Sequence, residues 1–201
     1  MIMKNDAEAW YNKGLALGKL GKYDDAISCF DRAIKINPRF AEVWCVKGLA
    51  LGFLGKYDEE ISCYDEAIKI NPNFALAWYS KGVALGELSK YDEEISCYDE
   101  AIKINPKYAD AWSGKGTTLG KLGKYDDAIR CFDEAIKINP NDALAWYVKA
   151  GVYVLKGDKK NTFKNLSKAI ELDAKFKEDA KKDEPFFKNL WNDEGFKRIV
   201  N

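Results

Sequence analysis

The sequence predicts an all-α protein, an α-solenoid in which helix-turn-helix hairpins stack side by side, and three observations support this. Tryptophan recurs at one constant interval, at Trp10, Trp44, Trp78, Trp112 and Trp146. Proline recurs with the same spacing, at Pro38, Pro72, Pro106 and Pro140. Each interval contains two segments whose apolar residues repeat about every 3.6 positions, as in amphipathic helices. One such hairpin cannot bury its apolar face alone, so neighbouring hairpins have to stack and share a core.

Five units of equal length follow one another along the chain. Their boundaries are 7–40, 41–74, 75–108, 109–142 and 143–176. Residues 1–6 precede the first unit, and residues 177–201 follow the last one. We therefore expect a single domain over residues 1–201, with capping helices in 177–201.

The first unit illustrates how each repeat is built. Residues 7–20 form the first predicted helix, the Gly-Lys pair at 21–22 forms a turn, and residues 23–36 form the second helix. The second helix is expected to end before Asn37, because the residue ahead of a proline disfavours the helical region. Acidic residues in its first turn suit the positive end of the helix dipole.

The first helix of this unit has two apolar sides. Trp10, Leu17 and Leu20 share the side that is expected to enter the core. Tyr11 and Leu15 point the other way, because residues three or four apart share a face and these two are out of phase with the first set. The first helix is therefore expected to contact something besides its own hairpin partner.

The pattern weakens in the fifth unit and after it. Ala174 replaces the closing proline, and two short amphipathic segments follow at 184–190 and 193–199. We expect these segments to be helices that cover the exposed side of repeat five. The alternative is a tail that folds into the groove of its own chain or of a neighbouring one. No matching segment precedes repeat one, so the face beside Trp10 and Leu17 is expected to be open to end-to-end contact.

The overall composition argues against several classes of function. Lys plus Arg and Asp plus Glu each number 32, so no excess of positive charge favours nucleic acid or a membrane surface. The chain has no histidine, and no nucleophile and base occur at a motif spacing, so we expect no enzyme and no catalytic residues. Neither a signal-peptide core nor a membrane-spanning stretch is found, and the expected location is cytoplasmic.

One set of residues in the first repeat carries a family resemblance. Its members are Trp10, Gly14, Leu17, Gly21, Tyr23, Ala26, Phe30, Ala33 and Pro38. The set recurs almost intact in four units and resembles the tetratricopeptide repeat (TPR), a 34-residue helix-turn-helix family. This resemblance implies a right-handed superhelix whose first helices line a concave groove, where members of the family usually bind peptides or partner helices.

A series of lysines departs from the family pattern, which usually has leucine there. Its members are Lys13, Lys47, Lys81, Lys115 and Lys149. A buried, unpaired ammonium is costly, so these side chains should reach an edge or meet carboxylates. The expected partner of each lysine is the aspartate on the second helix of its own repeat, namely Asp31, Asp65, Asp99 and Asp133, with Ser167 breaking the series. A structural set of ion pairs is favoured over a functional row, because nothing catalytic accompanies the lysines.

Two further sets of residues recur along the repeats. Glu60 and Glu94 replace the alanines of repeats one and four, and we expect their carboxylates to lie near the middle lysines. Four cysteines recur at the spacing of the tryptophans, and a fifth stands apart: Cys29, Cys63, Cys97, Cys131 and Cys45. They lack the spacing of metal ligands, and stacked repeats hold them too far apart for disulfides. We expect free, semi-buried thiols, no metal and no cofactor.

Comparison of the repeats with one another suggests where a partner binds. The second helices of repeats two and three are identical, whereas the outward face of the first helices varies and is rich in apolar residues. The candidate partner-binding groove comprises Tyr11, Asn12, Leu15, Lys19, Cys45, Val46, Leu49, Phe53, Tyr79, Ser80, Val83, Glu87, Ser113, Thr117, Lys121, Tyr147 and Val148. Free drift of exposed positions and packing inside a tightly wound superhelix remain alternatives.

Four glycines occupy equivalent places on the same face. They are Gly18, Gly52, Gly86 and Gly120. They either allow the backbone of a ligand to approach closely or merely admit close packing of helices, and the sequence does not decide between the two.

The predicted function is that of a non-catalytic scaffold for proteins or peptides. The side chains with which some family members grip a terminal carboxylate are absent, since the corresponding positions hold Tyr11, Leu15, Val46, Leu76 and Ser80. An amphipathic helix or an extended apolar segment is the expected ligand. The alternative is a structural element that self-associates weakly through its uncapped N-terminal end or by exchanging its tail.

Overall fold

The computed structural model describes the backbone of residues 2–201 and the side chains of residues 6–183 and 185–201. Within this part of the chain every regular element is a helix. The chain divides into two compact units, of which the first ends at Pro106 and the second is Lys107–Asn201.

Three hairpins make up the first unit. Its helices are α1 (Ile2–Lys19), α2 (Tyr23–Ile36), α3 (Ala41–Phe53), α4 (Tyr57–Ile70), α5 (Ala75–Glu87) and α6 (Tyr91–Ile104). Each odd-numbered helix packs against the helix that follows it, and α3 and α5 also pack against the second helix of the preceding hairpin.

Two hairpins and a C-terminal segment make up the second unit. Its helices are α7 (Ala109–Lys121), α8 (Tyr125–Ile138), α9 (Ala143–Lys156), α10 (Lys159–Leu172), α11 (Lys175–Lys182), α12 (Glu184–Phe187) and α13 (Glu194–Val200), with a 3₁₀ turn at Lys188–Leu190 between the last two. The C-terminal helices pack against α9 and α10.

The helix bounds agree closely with the periodicity of the sequence. The predicted second helix at 23–36 coincides with α2. The predicted start of the first helix at residue 7 is wrong, since α1 extends back to Ile2. The reason is local: the Asn-Pro break that separates α2 from α3 has no counterpart ahead of α1.

The turn inside each hairpin requires a left-handed backbone conformation. Gly21 has a φ angle of 72°, and similar values occur at the equivalent glycines of repeats two, four and five. In the third repeat this position is Ser89, with φ of 57°. A side chain in this region costs about 1–2 kcal/mol, so the third turn is strained relative to the others.

Close packing inside the hairpins explains a second recurring feature of the repeats. A Cβ atom on Gly14 would lie 2.4 Å from the Phe30 ring, and one on Gly48 would lie 2.8 Å from the Tyr64 ring. The aromatic side chain of the second helix therefore occupies the space that any larger residue on the first helix would need.

Hydrogen bonds between repeats explain the shared spacing of tryptophan and proline. The indole Nε1 of Trp44 donates to the carbonyl oxygen of Pro38 at 3.1 Å, and Trp78 donates to Pro72 at 3.0 Å. Trp146 donates to Pro140 at 3.0 Å in the second unit. Each of these tryptophans thus anchors its repeat to the proline that closes the repeat before it.

Three members of the lysine series, Lys47, Lys81 and Lys149, pair with aspartates, but not with the expected ones. Lys47 Nζ lies 2.6 Å from a carboxylate oxygen of Asp31, and Lys81 lies 2.6 Å from Asp65. Lys149 pairs with Asp133 in the same way. The expected pairing with the aspartate of the same repeat is wrong, because these lysines face the second helix of the preceding repeat rather than that of their own.

The five cysteines are buried and form no disulfide. Burial raises the pKa of Cys45 to about 12 and that of Cys63 to about 11, because a thiolate loses its hydration inside the protein. These thiols pack as small apolar residues.

The C-terminal segment builds the core of the second unit. Phe187 and Phe196 are almost fully buried in a cluster that also contains Leu166. Trp191 Nε1 donates to the carbonyl oxygen of Ala180 at 3.2 Å, and Lys159 forms an ion pair with Asp193 at 3.0 Å. The helix α11 (Lys175–Lys182) precedes the two segments that the sequence predicts as capping helices.

Candidate partner-binding groove

Two adjoining hollows lie on the outward side of α1, α3 and α5 in the first unit. The first, here called the apolar hollow, has a volume of about 250 Å³. It is lined by Gly14, Leu15, Gly18, Lys19, Tyr23, Phe30, Val46, Leu49, Ala50 and Phe53. The wall between the two hollows consists of Leu49 and Phe53, which line both.

Large apolar side chains are exposed at this wall. Leu49 is 51% exposed and Phe53 is 62% exposed. The Phe53 ring stacks on Tyr23, with centroids 4.7 Å apart and an angle of 7° between the planes. A Cβ atom on Gly18 would meet no atom within 4 Å, so the floor of the apolar hollow is open at this point.

The second hollow, here called the acidic hollow, has a volume of about 260 Å³. It is lined by Leu49, Gly52, Phe53, Tyr57, Glu60, Val83, Ala84 and Glu87. Most of these residues occupy the places of the apolar hollow one repeat later, but the chemistry differs, since Phe53 stands in the place of Lys19 and two glutamates are added. Glu60 stands where repeat one has Ala26, and Glu87 stands where the apolar hollow has Phe53.

Glu60 is the buried charge of this hollow. Only 6% of the residue is exposed, and the hydroxyl of Tyr64 donates to its Oε1 at 2.9 Å. Burial raises the pKa of the Glu60 carboxyl, the hydrogen bond from Tyr64 opposes that rise, and the negative charge of Glu87 adds to it. The expectation that Glu60 would lie near a lysine of the series is wrong for this residue, because its side chain turns towards Gly52.

The glutamate and the tyrosine occur together in the repeats. Glu94 accepts a hydrogen bond from Tyr98 at 3.0 Å in repeat three, as Glu60 does from Tyr64 in repeat two. Repeats one and four have alanine and phenylalanine at these two places: Ala26 with Phe30 and Ala128 with Phe132. The paired change, four positions apart on one helix face, was the sequence signal that could have located this site.

The glycines of the outward face serve two purposes. A Cβ atom on Gly52 would lie 2.5 Å from the Glu60 carboxylate, and one on Gly86 would lie 2.8 Å from that of Glu94. Close packing therefore explains the glycine in these two repeats. Gly18 has no such neighbour and leaves space open in the apolar hollow.

The expected groove residues of the first unit fall into two groups. Those that line the hollows are Leu15, Lys19, Val46, Leu49, Phe53, Val83 and Glu87. Asn12 is exposed and Ser80 is partly buried, but neither lines a hollow. Tyr11 and Tyr79 are partly buried against the rings of Phe40 and Tyr98. Cys45 is not a surface residue, because it is buried between its own hairpin and the next one.

In the second unit, fewer of the residues that were expected to line the groove are exposed. Lys121 is exposed, whereas Ser113 and Thr117 are partly buried, and the Thr117 hydroxyl donates to the carbonyl oxygen of Ser113 at 3.0 Å. Tyr147 is buried and Val148 is partly buried in the cluster that the C-terminal segment forms. The expected exposure of Tyr147 is therefore wrong, whereas Val148 is only partly covered.

The C-terminal segment covers the outward side of α9. The Tyr147 hydroxyl donates to Asp183 at 2.7 Å, and its ring stacks on Phe176 with centroids 4.6 Å apart. A Cβ atom on Gly151 would lie 2.8 Å from the ring of Phe186. Gly151 is the fifth-repeat equivalent of Leu49, so the segment that packs on repeat five also occupies a groove position there.

Other kinds of site find little support in the described side chains. They contain no group of three His, Cys, Asp or Glu residues placed to hold a metal ion. None of the described helices is long and apolar enough to cross a membrane.

Comparison with known proteins identifies the repeats. Models of the tetratricopeptide repeat match residues 7–40 and 109–142, and further TPR models match 29–62, 54–89, 75–108 and 143–176. No curated protein is a significant match for the sequence.

Several solved structures resemble the chain. A MamA protein is 24% identical, with a TM-score of 0.74, over 85% of this chain and 93% of that one. MamA from Desulfovibrio magneticus RS-1 is 20% identical, with a TM-score of 0.76, over 85% of this chain and 96% of that one. YrrB, described as a TPR protein with an unusual peptide-binding site, is 22% identical, with a TM-score of 0.69, over 89% of this chain and 93% of that one.

At these identities the structural likeness establishes the fold, an α-solenoid of helix-turn-helix repeats. The family models supply the membership, since together they extend over residues 7–176. The chain therefore belongs to the tetratricopeptide repeat family.

Proposed function

We propose that this protein is a non-catalytic scaffold that holds a segment of a partner protein in the apolar and acidic hollows of its first unit. TPR proteins are protein-interaction scaffolds and are generally not enzymes. One of the similar structures, YrrB, is described by a peptide-binding site. The observation that carries the proposal is the exposure of Leu49 and Phe53 on the wall between two hollows.

The exposed apolar area of Leu49 and Phe53 favours the binding of a partner. Burying a side chain of the size of leucine or phenylalanine is worth about 1.5–3 kcal/mol, so two exposed anchors beside open hollows favour a partner that covers them. An amphipathic helix and an extended segment both present apolar side chains at intervals that suit such anchors.

Self-association is the second candidate function, and one observation favours it. Leu20, which directly follows α1, is 72% exposed. One observation argues against self-association by end-to-end stacking. Ser167 stands where the other repeats have the aspartate that pairs with a lysine of the following repeat. A concentration series in light scattering separates the two candidates, because only self-association increases the mass.

The proposal is tested by selecting binders from a displayed library of random twelve-residue peptides against the full chain. The selected peptides are then measured against the variant Leu49→Ser plus Phe53→Ser. Both side chains are more than half exposed, so the fold should survive, which circular dichroism checks. We expect affinity to fall at least about tenfold, since two apolar contacts are lost.

A matched control uses exposed leucines outside the hollows. The variant Leu20→Ser plus Leu122→Ser removes comparable apolar surface and should leave the affinity unchanged. Equal affinity of the selected peptides for the wild type and for the Leu49 and Phe53 variant would refute the proposal.

A further inference from the structure

The acidic hollow contains a buried carboxylate that the fold does not neutralise. Glu60 Oε1 accepts the hydrogen bond from Tyr64, and no described cation pairs with this carboxylate. In the equivalent site of repeat three, Oε2 of Glu94 is buried without a hydrogen-bond partner among the described residues. Glu87, which lines the acidic hollow with Glu60, likewise forms no ion pair with a described residue. A buried charge without a counter-charge is expensive, and proteins normally pair such groups.

Comparison inside the chain shows that the fold does not require this charge. Repeat one packs with Ala26 and Phe30 at the places of Glu60 and Tyr64. The carboxylates of the lysine series behave differently, since Asp31 and Asp65 each meet an ammonium at 2.6 Å. Glu60 is thus a carboxylate placed beside open space rather than one held in a structural ion pair.

The walls of the acidic hollow suit the side chain of a base. Phe53 and Tyr57 supply aromatic surface, along which the aliphatic stem of lysine or the plane of arginine can lie. Glu60 and Glu87 supply two carboxylates for the charged end. The apolar hollow begins on the other side of Leu49 and Phe53.

We infer that the partner segment carries a lysine or arginine that enters the acidic hollow, next to an apolar side chain that fills the apolar hollow. The inference rests on the proposed function and adds the chemistry of the ligand. An apolar ligand alone would fill one hollow and leave the carboxylates of the other uncompensated. A basic residue alone would leave the apolar hollow empty, together with the sides of Leu49 and Phe53 that line it.

The test uses the same displayed library of random peptides against the full chain. We expect the selected peptides to be enriched in a basic residue within a few positions of a large apolar one. The decisive variant is Glu60→Ala plus Tyr64→Phe, which installs the pair that repeat one already uses and should therefore fold. Peptides selected on the wild type should bind this variant at least about 30-fold more weakly, because a buried, hydrogen-bonded charge pair is lost.

A matched change on the peptide completes the experiment. Replacing its basic residue by norleucine, which keeps the length and removes the charge, should weaken binding to the wild type by a similar factor. On the Glu60 and Tyr64 variant the same replacement should have little effect, because the two changes remove one interaction.

The outcomes separate this inference from the proposed function. Peptides that depend on Leu49 and Phe53 but show no basic enrichment would overturn the inference and leave the proposed function standing. Basic peptides that bind the Glu60 and Tyr64 variant as well as the wild type would also overturn it. Binding that ignores Leu49 and Phe53 would overturn the proposed function itself. If the wild-type protein forms a dimer and the Glu60 and Tyr64 variant does not, the occupant of the acidic hollow is a second copy of the chain. That result would also overturn the inference.

Discussion

The ammonium of Lys81 lies 2.6 Å from the carboxylate of Asp65, which belongs to the second helix of the preceding repeat. The ammonium also lies 6.0 Å from the centre of the Trp78 ring on its own helix. The lysine is thus held between an aspartate of one repeat and a tryptophan of the next. Lys47 repeats the arrangement with Asp31 and Trp44.

This pairing predicts which residues are energetically coupled. Asp65→Ala should lower the free energy of unfolding by about 1 kcal/mol, since the carboxylate is half exposed and only part of its attraction survives solvent screening. A double-mutant cycle in urea denaturation should show coupling between Lys81 and Asp65. The cycle between Lys47 and Asp65, the pair expected from sequence spacing, should show none, and coupling there would contradict the assignment.

The turn of the third repeat can be improved by one substitution. Ser89 adopts a left-handed backbone with φ of 57°, where repeats one, two, four and five have glycine. Ser89→Gly should stabilise the protein by about 0.5–1 kcal/mol, because relief of the strain outweighs the greater freedom of glycine in the unfolded chain. Thermal unfolding measures the effect. The reverse change at the matched turn, Gly55→Ser, should destabilise, and a gain in stability there would contradict the argument.

The bond between Tyr64 and Glu60 predicts a non-additive pair of substitutions. Tyr64→Phe alone removes the donor from a buried carboxylate and should cost about 1–3 kcal/mol. Adding Glu60→Ala removes the stranded acceptor, so the double variant should be more stable than the single Tyr64→Phe variant. Urea denaturation of the wild type, both single variants and the double variant checks this. Simple addition of the two effects would show that the bond contributes nothing.

The pH dependence of stability should report the same carboxylate. Burial raises the pKa of Glu60, so this group binds more protons in the folded than in the unfolded state, and its ionisation costs stability as the pH rises. Glu60→Gln removes the titration. The free energy of unfolding of the variant, relative to that of the wild type, should therefore increase as the pH is raised from about 4 to about 7.5. Denaturation at the two pH values measures the difference, and a constant difference would rule out the raised pKa.

The C-terminal segment should contribute strongly to stability. Phe187 is fully buried in the core of the second unit, so Phe187→Ala should cost about 3–5 kcal/mol. Phe53→Ala is the matched control, because that ring is mostly exposed and its loss should cost about 1 kcal/mol, chiefly through the stack on Tyr23. Urea denaturation compares them, and equal costs would mean that the segment does not pack as described.

The sequence alone determined the type and the bounds of most elements. The predicted helix at 23–36 coincides with α2, and the fold class and the family follow from patterns inside each repeat unit. These features depend on local causes: helical periodicity, a left-handed glycine in the turn, and the break before proline. They act between residues that are near one another in the chain, and their recurrence at a constant interval indicates that the repeats stack.

Only the tertiary structure decided which side chains meet. The partner of Lys47, the burial of Cys45 and Tyr147, and the turn of Glu60 towards Gly52 all depend on how one helix lies against the next. Sequence spacing identifies the face of a helix but not the neighbour that covers it, because a first helix in the array touches both its own second helix and the one before it. The side chains of two packed helices interlock, and this interlocking sets the register of one helix against the other. The contacts that set it form only when the hairpins stack.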